Sequence, residues 1–212
     1  MQERAQRTRE RALDAAASEF AERGYAQTTI NSVTERMGMS KGAIYGHFSS
    51  KRDLADALTA HSKVVWEELS RDSRGCGRTP AAALEESVIA LSERIGTDVR
   101  MRAAVRLAVE AQPGSRGCCS SLLTRVHRDL AGMTRRIGAQ GRGDGPEAHS
   151  VDIPGLLADV ALIMACGEFY RLDGEWAGAY TSTDRSAALR LLVSGLVVAV
   201  ADSGHLPETF MT

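Results

Sequence analysis

Apolar residues recur at helical spacing along most of the chain, and glycines or capping residues interrupt the pattern at intervals. Gly24 ends the first stretch, and Gly96 followed by Asp98 separates two later ones. The predicted long helices cover about residues 3–23, 51–71, 80–95, 99–111, 119–137 and 184–202, with another that begins near residue 152. The pattern therefore predicts an all-α protein.

Two short helical patterns lie between residues 28 and 54 and are joined by a glycine turn. Apolar residues from Ile30 to Met37 recur at helical spacing, and Gly38 ends this first helix, as a glycine at that position commonly does. Ser40 is a natural cap for a second helix of about two turns. This succession is typical of a helix-turn-helix, whose second helix enters the major groove of DNA.

The second short helix leaves polar residues on the face opposite its apolar positions. Lys41 and Gly42 lie on its first turn, which contacts base edges when such a helix docks. Gly42 permits a close approach to the bases, and Lys41 can donate to guanine O6 or N7. Tyr45 and His47 can donate to phosphates on either side. These contacts would select the sequence and fix the register of the protein on DNA.

Further phosphate contacts are expected where helices begin. Thr28 and Thr29 precede the first short helix, where hydroxyls, amides and the helix dipole together favour an anion. Lys51 stands at the start of the next helix, and Ser40 joins the set as the cap of the second short helix. Each of these side chains, taken alone, is explained equally well as a solvated or partly buried residue, and the DNA interpretation depends on their combined spacing.

Charge is divided unevenly between the two ends of a chain of 212 residues with a net charge of −1. Residues 1–52 hold nine Lys or Arg against six Asp or Glu, whereas residues 53–212 carry a net charge of −4. A DNA-binding domain over residues 1–52 and a helical ligand-binding and dimerisation domain over residues 53–212 would show this division, although chance also accounts for it.

The remaining composition points to a cytoplasmic protein without metal, cofactor or membrane. The four cysteines lack C-x-x-C spacing, which favours free thiols in a reducing compartment. The chain starts with charged rather than apolar residues, so no signal peptide is expected. Its longest apolar run, residues 191–201, is shorter than the roughly 18 residues that a membrane span requires. An enzyme is not expected, because no nucleophile elbow or metal-ligand spacing is present.

The residues from Lys41 to Phe48, followed by Lys51 and Leu54, resemble the signature of the TetR family of transcriptional regulators. The positions Ala16, Phe20, Gly24 and Tyr25 and the entry Thr28-Thr29-Ile30 match the same pattern. The resemblance implies a three-helix DNA-binding head, an all-helical ligand-binding body and a homodimer on double-stranded DNA with a pseudo-palindromic operator. By resemblance, the DNA-contact roles fall to Thr29, Lys41, Gly42, Tyr45, His47 and Lys51.

Within that family, residues 99–108 and the helix predicted from residue 152 are similar to the γ-butyrolactone receptor subgroup. In that subgroup a tryptophan of the middle helix closes over the lactone, and Val126 stands at the corresponding position here. A pseudo-receptor that answers an antibiotic or another small signal therefore stays open. We expect a small-molecule pocket among the body helices, with Trp66, Val126, Met164 and Phe169 in its wall, although ordinary core packing explains each of them.

The last predicted helix is apolar nearly all round between residues 189 and 200, so several of its sides must be covered. A second copy can supply this cover as a two-fold bundle built from the last two helices, and burial within one chain is the alternative. The expected function is a repressor that a small signal releases from its operator, with the helix from Lys51 to Arg71 as the lever. A repressor of an efflux or metabolic gene, or a DNA binder without a ligand, remains open.

Overall fold

The computed structural model describes residues 2–75, 77–111, 120–141, 155, 160–162 and 182–202. Every regular element among these residues is an α-helix, which confirms the predicted all-α fold. The helices that can be bounded are α1 (Gln2–Gln27), α2 (Ile30–Met37), α3 (Lys41–Tyr45), α4 (Lys51–Ser73), α5 (Pro80–Thr97), α6 (Val99–Glu110), α7 (Ser120–Gly141) and α8 (Ser182–Asp202).

Gly24 breaks α1 as the sequence predicts. Its backbone has φ 75° and ψ 179°, a conformation that is open to glycine and strained for other residues, so the helical path bends three residues before Gln27. The buried apolar side chains of α1 are Ala12, Leu13, Ala15, Ala16, Ala17, Phe20 and Ala21. Beyond the break, the ring of Tyr25 stacks on that of Phe20 with 5.9 Å between centroids.

The turn between α2 and α3 also forms as predicted. Gly38 adopts the left-handed conformation (φ 65°, ψ 31°), and its N–H donates to the carbonyl of Glu35 at 3.1 Å. Met39 N then donates to Thr34 O at 3.3 Å, which satisfies a second carbonyl at the end of α2. Farther on, Ser50 Oγ accepts from Asp53 N at 3.2 Å and thereby caps the start of α4.

The chain divides into two compact units. The first comprises residues 1–66 and 94–124, and the second comprises residues 67–93 and 125–212. The first unit is larger than the predicted DNA-binding domain, because α6 packs along α1 and places Ala103 and Leu107 in the same apolar core as Phe20, Ile44 and Leu58. The expected boundary between the two domains at residue 52 stays a prediction, and the boundaries of the compact units lie at other residues.

A group of charged residues ties α2 to α1 inside the first unit. Arg36 Nε donates to Glu19 Oε1 at 2.6 Å, and its two terminal nitrogens contact the carboxylate of Glu22. Arg23 lies 3.6 Å from the other oxygen of Glu19, which is buried without a hydrogen-bond partner. Burial alone would raise the pKa of Glu19, but hydrogen bonds from Arg36 and Ser32 and the charges of Arg36 and Arg23 outweigh it and hold the pKa below 4.5.

Acid should therefore weaken the first unit through Glu19. Its pKa is lower in the folded protein, so the unfolded chain binds the proton first. The carboxylate's contribution to stability is then complete above about pH 4.5 and is lost as the pH falls through the lower folded value. We expect the melting temperature of Glu19→Gln to depend less on pH between pH 6 and pH 3 than that of the wild type; parallel curves would contradict this assignment.

The second unit contains a buried polar contact within its core. The hydroxyl oxygens of Ser73 and Ser87 are 2.6 Å apart, and Ser87 Oγ also donates to Met133 Sδ at 3.8 Å. All three side chains are buried, so both hydroxyls have hydrogen-bond partners within the protein. This contact joins the end of α4 to α5 and α7 within the unit.

Candidate nucleic-acid interface

The helix α3 is short and built by local contacts. Ala43 N donates to Ser40 O at 3.0 Å, and Gly46 N donates to Gly42 O at 3.1 Å. His47 N then donates to Ile44 O at 2.9 Å. The helix thus has five residues instead of the predicted two turns. Ser40 occupies the N-cap position with extended backbone angles, but its hydroxyl makes no capping hydrogen bond. Ser40 is thus the N-cap residue that the sequence predicts, without a bond from its side chain, and its DNA contact stays a prediction.

Two apolar side chains anchor α3 and decide which of its faces points outward. Ile44 is fully buried and Phe48 nearly so, and the guanidinium of Arg9 lies 5.3 Å from the centroid of the Phe48 ring. The opposite face is exposed: it carries Lys41 and Gly42, and 54 % of Tyr45 is accessible to solvent. His47 is half-buried beside them. Lys41, Gly42 and Tyr45 therefore form one outer surface, which we call the reading face.

Among the described residues, none requires glycine at position 42. A Cβ built there would meet only Ser40 Oγ of these residues, at an ordinary van der Waals distance of 3.7 Å, and Gly42 is an exposed residue of a helix. Glycine in a helix costs about 1 kcal/mol relative to alanine. Its presence is explained if the surface of another molecule, such as the floor of a DNA groove, approaches the backbone here.

The variant Gly42→Ala should therefore change stability and DNA affinity in opposite directions. We expect the free energy of unfolding to rise by about 0.4–1 kcal/mol, because alanine fits the helical backbone and restricts the unfolded chain. DNA affinity should fall at least roughly tenfold, since the added methyl holds the helix away from the base edges. Thermal melting and a DNA titration of the same sample measure both, and unchanged affinity would contradict the close approach.

The two threonines before α2 have different surroundings. Thr29 is exposed and forms a capping box, in which its hydroxyl accepts from Ser32 N at 3.0 Å and Ser32 Oγ accepts from Thr29 N at 3.1 Å. The hydroxyl of Thr29 retains a proton to donate to a phosphate. Thr28 is fully buried and donates to Gly24 O at 2.7 Å. A phosphate contact by the Thr28 side chain is therefore contradicted, because that hydroxyl stabilises the turn instead.

Lys51 is half-buried and makes several contacts within the protein. Its ammonium donates to Tyr25 O at 2.7 Å and to Thr28 O at 2.9 Å, and lies 4.2 Å from the centroid of the Tyr25 ring. Burial lowers the pKa of this lysine. An ammonium has three donors, so one proton remains beyond the two carbonyl bonds. Lys51 thus stabilises the segment from Gly24 to Thr29, which we call the α1–α2 turn, and its phosphate contact stays a prediction.

The structure describes two of the four residues proposed for an effector pocket. Trp66 is fully buried in the first unit, and Val126 is buried in the second. Met164 and Phe169 lie outside the described residues. A groove of about 390 Å³ on the second unit is lined by Glu67, Ser70, Arg71, Arg74 and Arg125. It is polar and open, unlike the apolar cavities that usually bind small ligands, so the four pocket residues stay a prediction.

In the part of the chain that the structure describes, no helix is long and apolar enough to cross a bilayer. The same residues contain no group of three or more His, Cys, Asp or Glu side chains that could hold a metal ion.

The fold and the reading face define a helix-turn-helix protein. Residues 12–58 match the family model of bacterial regulatory proteins of the tetR family. The transcriptional repressor BepR of Brucella suis is 34 % identical over 96 residues, which are 45 % of this chain and 46 % of that repressor. The chain thus matches about half the length of this relative, and the relative is a transcriptional regulator, not an enzyme.

Two comparisons extend beyond the head. A probable acrEF/envCD operon repressor of Escherichia coli K12 is 26 % identical over 172 residues, covering 80 % of this chain and 76 % of that protein. The crystal structure of a gamma-butyrolactone receptor (ArpA-like protein) superposes with a TM-score of 0.65 and 25 % identity, and covers 92 % of this chain and 98 % of the receptor. The similarity in fold therefore reaches over nearly the whole chain.

Proposed function

We propose that this protein is a transcriptional repressor that binds a pseudo-palindromic operator through α3. The observation that carries the proposal is the reading face: Lys41 and Tyr45 are exposed beside a glycine that no described residue requires. Lysine donors read guanine edges in the major groove, and the tyrosine hydroxyl suits a phosphate. Its place of action would be the cytoplasm, where bacterial DNA lies.

We further propose that the protein acts as a homodimer through its last two helices. Large apolar side chains are exposed on α8, where 76 % of Leu191 is accessible and Leu192 and Val198 are also exposed. Val160, on the chain before it, is exposed as well. A second copy that covers these residues would remove them from water. Dimers of this kind place two recognition helices about 34–36 Å apart, one turn of DNA.

For the effector we propose a small signalling molecule, either γ-butyrolactone-like or related to an antibiotic. The support is the likeness in fold and sequence to a gamma-butyrolactone receptor along almost the whole chain. The alternative is control of an efflux or metabolic gene by an unrelated apolar ligand; the similarity to the probable acrEF/envCD operon repressor supports repression of an operon in either case. In either case a coupling of about 1–3 kcal/mol would weaken operator binding roughly 5- to 150-fold.

A gel shift on the DNA upstream of the protein's own gene tests the proposal. We expect a retarded band that survives competition by unrelated duplex and disappears when small-molecule extract is added. A lactone standard and an antibiotic panel, each titrated separately, distinguish the two effector classes. Binding that no extract or compound alters would favour a DNA binder without a ligand, and absence of selective binding would overturn the proposed function.

A further inference from the structure

One residue of the α1–α2 turn is held from two sides by different helices. Tyr25 N donates to Glu110 Oε2 of α6 at 2.8 Å, and Tyr25 O accepts from Lys51 Nζ of α4 at 2.7 Å. Tyr25 lies within the residues that match the family model, whereas Glu110 lies 52 positions beyond their end at residue 58. The turn next to the helix-turn-helix thus depends on a carboxylate from α6.

The carboxylate of Glu110 is itself held in place. Arg106 Nε donates to Glu110 Oε1 at 2.8 Å, while Arg106 Nη1 donates to Ala21 O of α1 at 2.8 Å. Gly24 makes room for this arrangement, since a Cβ at that position would lie 2.7 Å from Glu110 Oε2. Together these contacts orient the carboxylate toward Tyr25 N and leave no space for a side chain in between.

The same turn leads into Thr29 and binds the ammonium of Lys51, which are two of the predicted phosphate contacts. Thr28 is bonded to Gly24 O through its hydroxyl and to Lys51 through its carbonyl, and Thr29 follows as the N-cap of α2. A displacement of Tyr25 would therefore move both Thr29 and the ammonium of Lys51. It would leave the reading face on α3 attached to its own anchors, Ile44 and Phe48.

We propose that Glu110 is a positioning residue for DNA binding. Its carboxylate holds the peptide N–H of Tyr25, and thereby sets where Thr29 and Lys51 meet the phosphates that flank the groove. The inference rests on the proposed function and adds α6 to the parts that determine operator affinity. Charge alone predicts the opposite effect, because removing a carboxylate beside phosphate-binding residues should strengthen binding to DNA.

The test compares three full-length variants with the wild type on the operator and on a scrambled duplex of equal length. Glu110→Ala removes the acceptor, and Glu110→Gln removes the charge but keeps an oxygen that can accept from Tyr25 N. Asp14→Ala is the matched control, because it also deletes an acidic residue and breaks a contact between α1 and α6, the 2.7 Å bond from Arg100 Nε. All are measured at a temperature where circular dichroism shows each variant folded.

We expect Glu110→Ala to bind the operator about tenfold more weakly, a factor that corresponds to about 1.4 kcal/mol. Glu110→Gln should recover most of this affinity, and Asp14→Ala should bind at least as tightly as the wild type. The scrambled duplex should show a similar loss, because phosphate contacts carry no sequence information.

Different failures have different meanings. Glu110→Ala binding as tightly as Asp14→Ala, or more tightly than the wild type, would overturn the positioning role while the proposed function stands. A loss confined to the operator would also overturn it, because a residue that sets phosphate contacts affects every duplex. Only a wild type that fails to select the operator would contradict the proposed function itself.

Discussion

The double variant Lys41→Ala/Tyr45→Phe should lose at least about 100-fold in operator affinity while its melting temperature stays within a degree or two of the wild type. A lysine that reads a base contributes about 1–3 kcal/mol, and a hydrogen bond to a charged group about 1.5–3 kcal/mol. Both side chains lie on the exposed reading face, so the fold has little to lose. Fluorescence anisotropy with labelled operator measures the affinity.

A charge-matched control distinguishes the loss of specific contacts made by α3 from a general loss of electrostatic attraction to DNA. Arg71→Ala removes one exposed positive charge in the second unit, far in sequence from α3, and should leave operator affinity within about twofold. The single variant Lys41→Ala should relax the preference between operator and altered operator sequences. Tyr45→Phe should weaken binding to the operator and to the altered sequences equally, because it removes a phosphate contact and leaves the base contacts intact. Tight and selective binding by the double variant would refute α3 as the reading helix.

The second large effect is expected on stability, from Gly24→Ala. The backbone at Gly24 (φ 75°, ψ 179°) is open essentially only to glycine, and forcing another residue there costs about 1–3 kcal/mol. The new methyl would also displace the carboxylate of Glu110 from Tyr25 N. A total loss of about 2–4 kcal/mol lowers the melting temperature by roughly 4–16 °C in a chain of this size.

Two other glycines serve as controls for this variant. Gly38 also has a positive φ of 65°, in the left-handed region that other residues can enter, and a Cβ there meets no described residue within 4 Å, so Gly38→Ala reports a milder backbone cost without an overlap. Gly96 has neither a positive φ nor a neighbour within that distance, and Gly96→Ala should be neutral or slightly stabilising. We expect the order of melting temperatures to be Gly96→Ala, Gly38→Ala, Gly24→Ala from highest to lowest. Equal melting temperatures of Gly38→Ala and Gly24→Ala would contradict the expected contribution of Glu110 to stability.

Local sequence was sufficient for the helix-turn-helix and its outer surface. The ends of α2, the turn at Gly38 and the exposure of Lys41 and Tyr45 follow from residues within a few positions of each other. A capping residue, a left-handed glycine and helical periodicity act over one or two turns, so a short stretch of sequence is enough to predict their effects. The length of α3 was overestimated because the chain turns at Gly46 and His47 before a second turn of helix forms.

Tertiary packing decided how the donors near α2 are used. The sequence placed Thr28, Thr29 and Lys51 alike at helix starts, and nothing in it distinguished a buried hydroxyl from an exposed one. The fold buries Thr28, leaves Thr29 at the surface and directs Lys51 to two carbonyls more than twenty residues away. It also brings Glu110 to Tyr25 across 85 positions. Caps and periodicity are local properties of a chain, whereas the partner of a polar group depends on which distant helix packs against it.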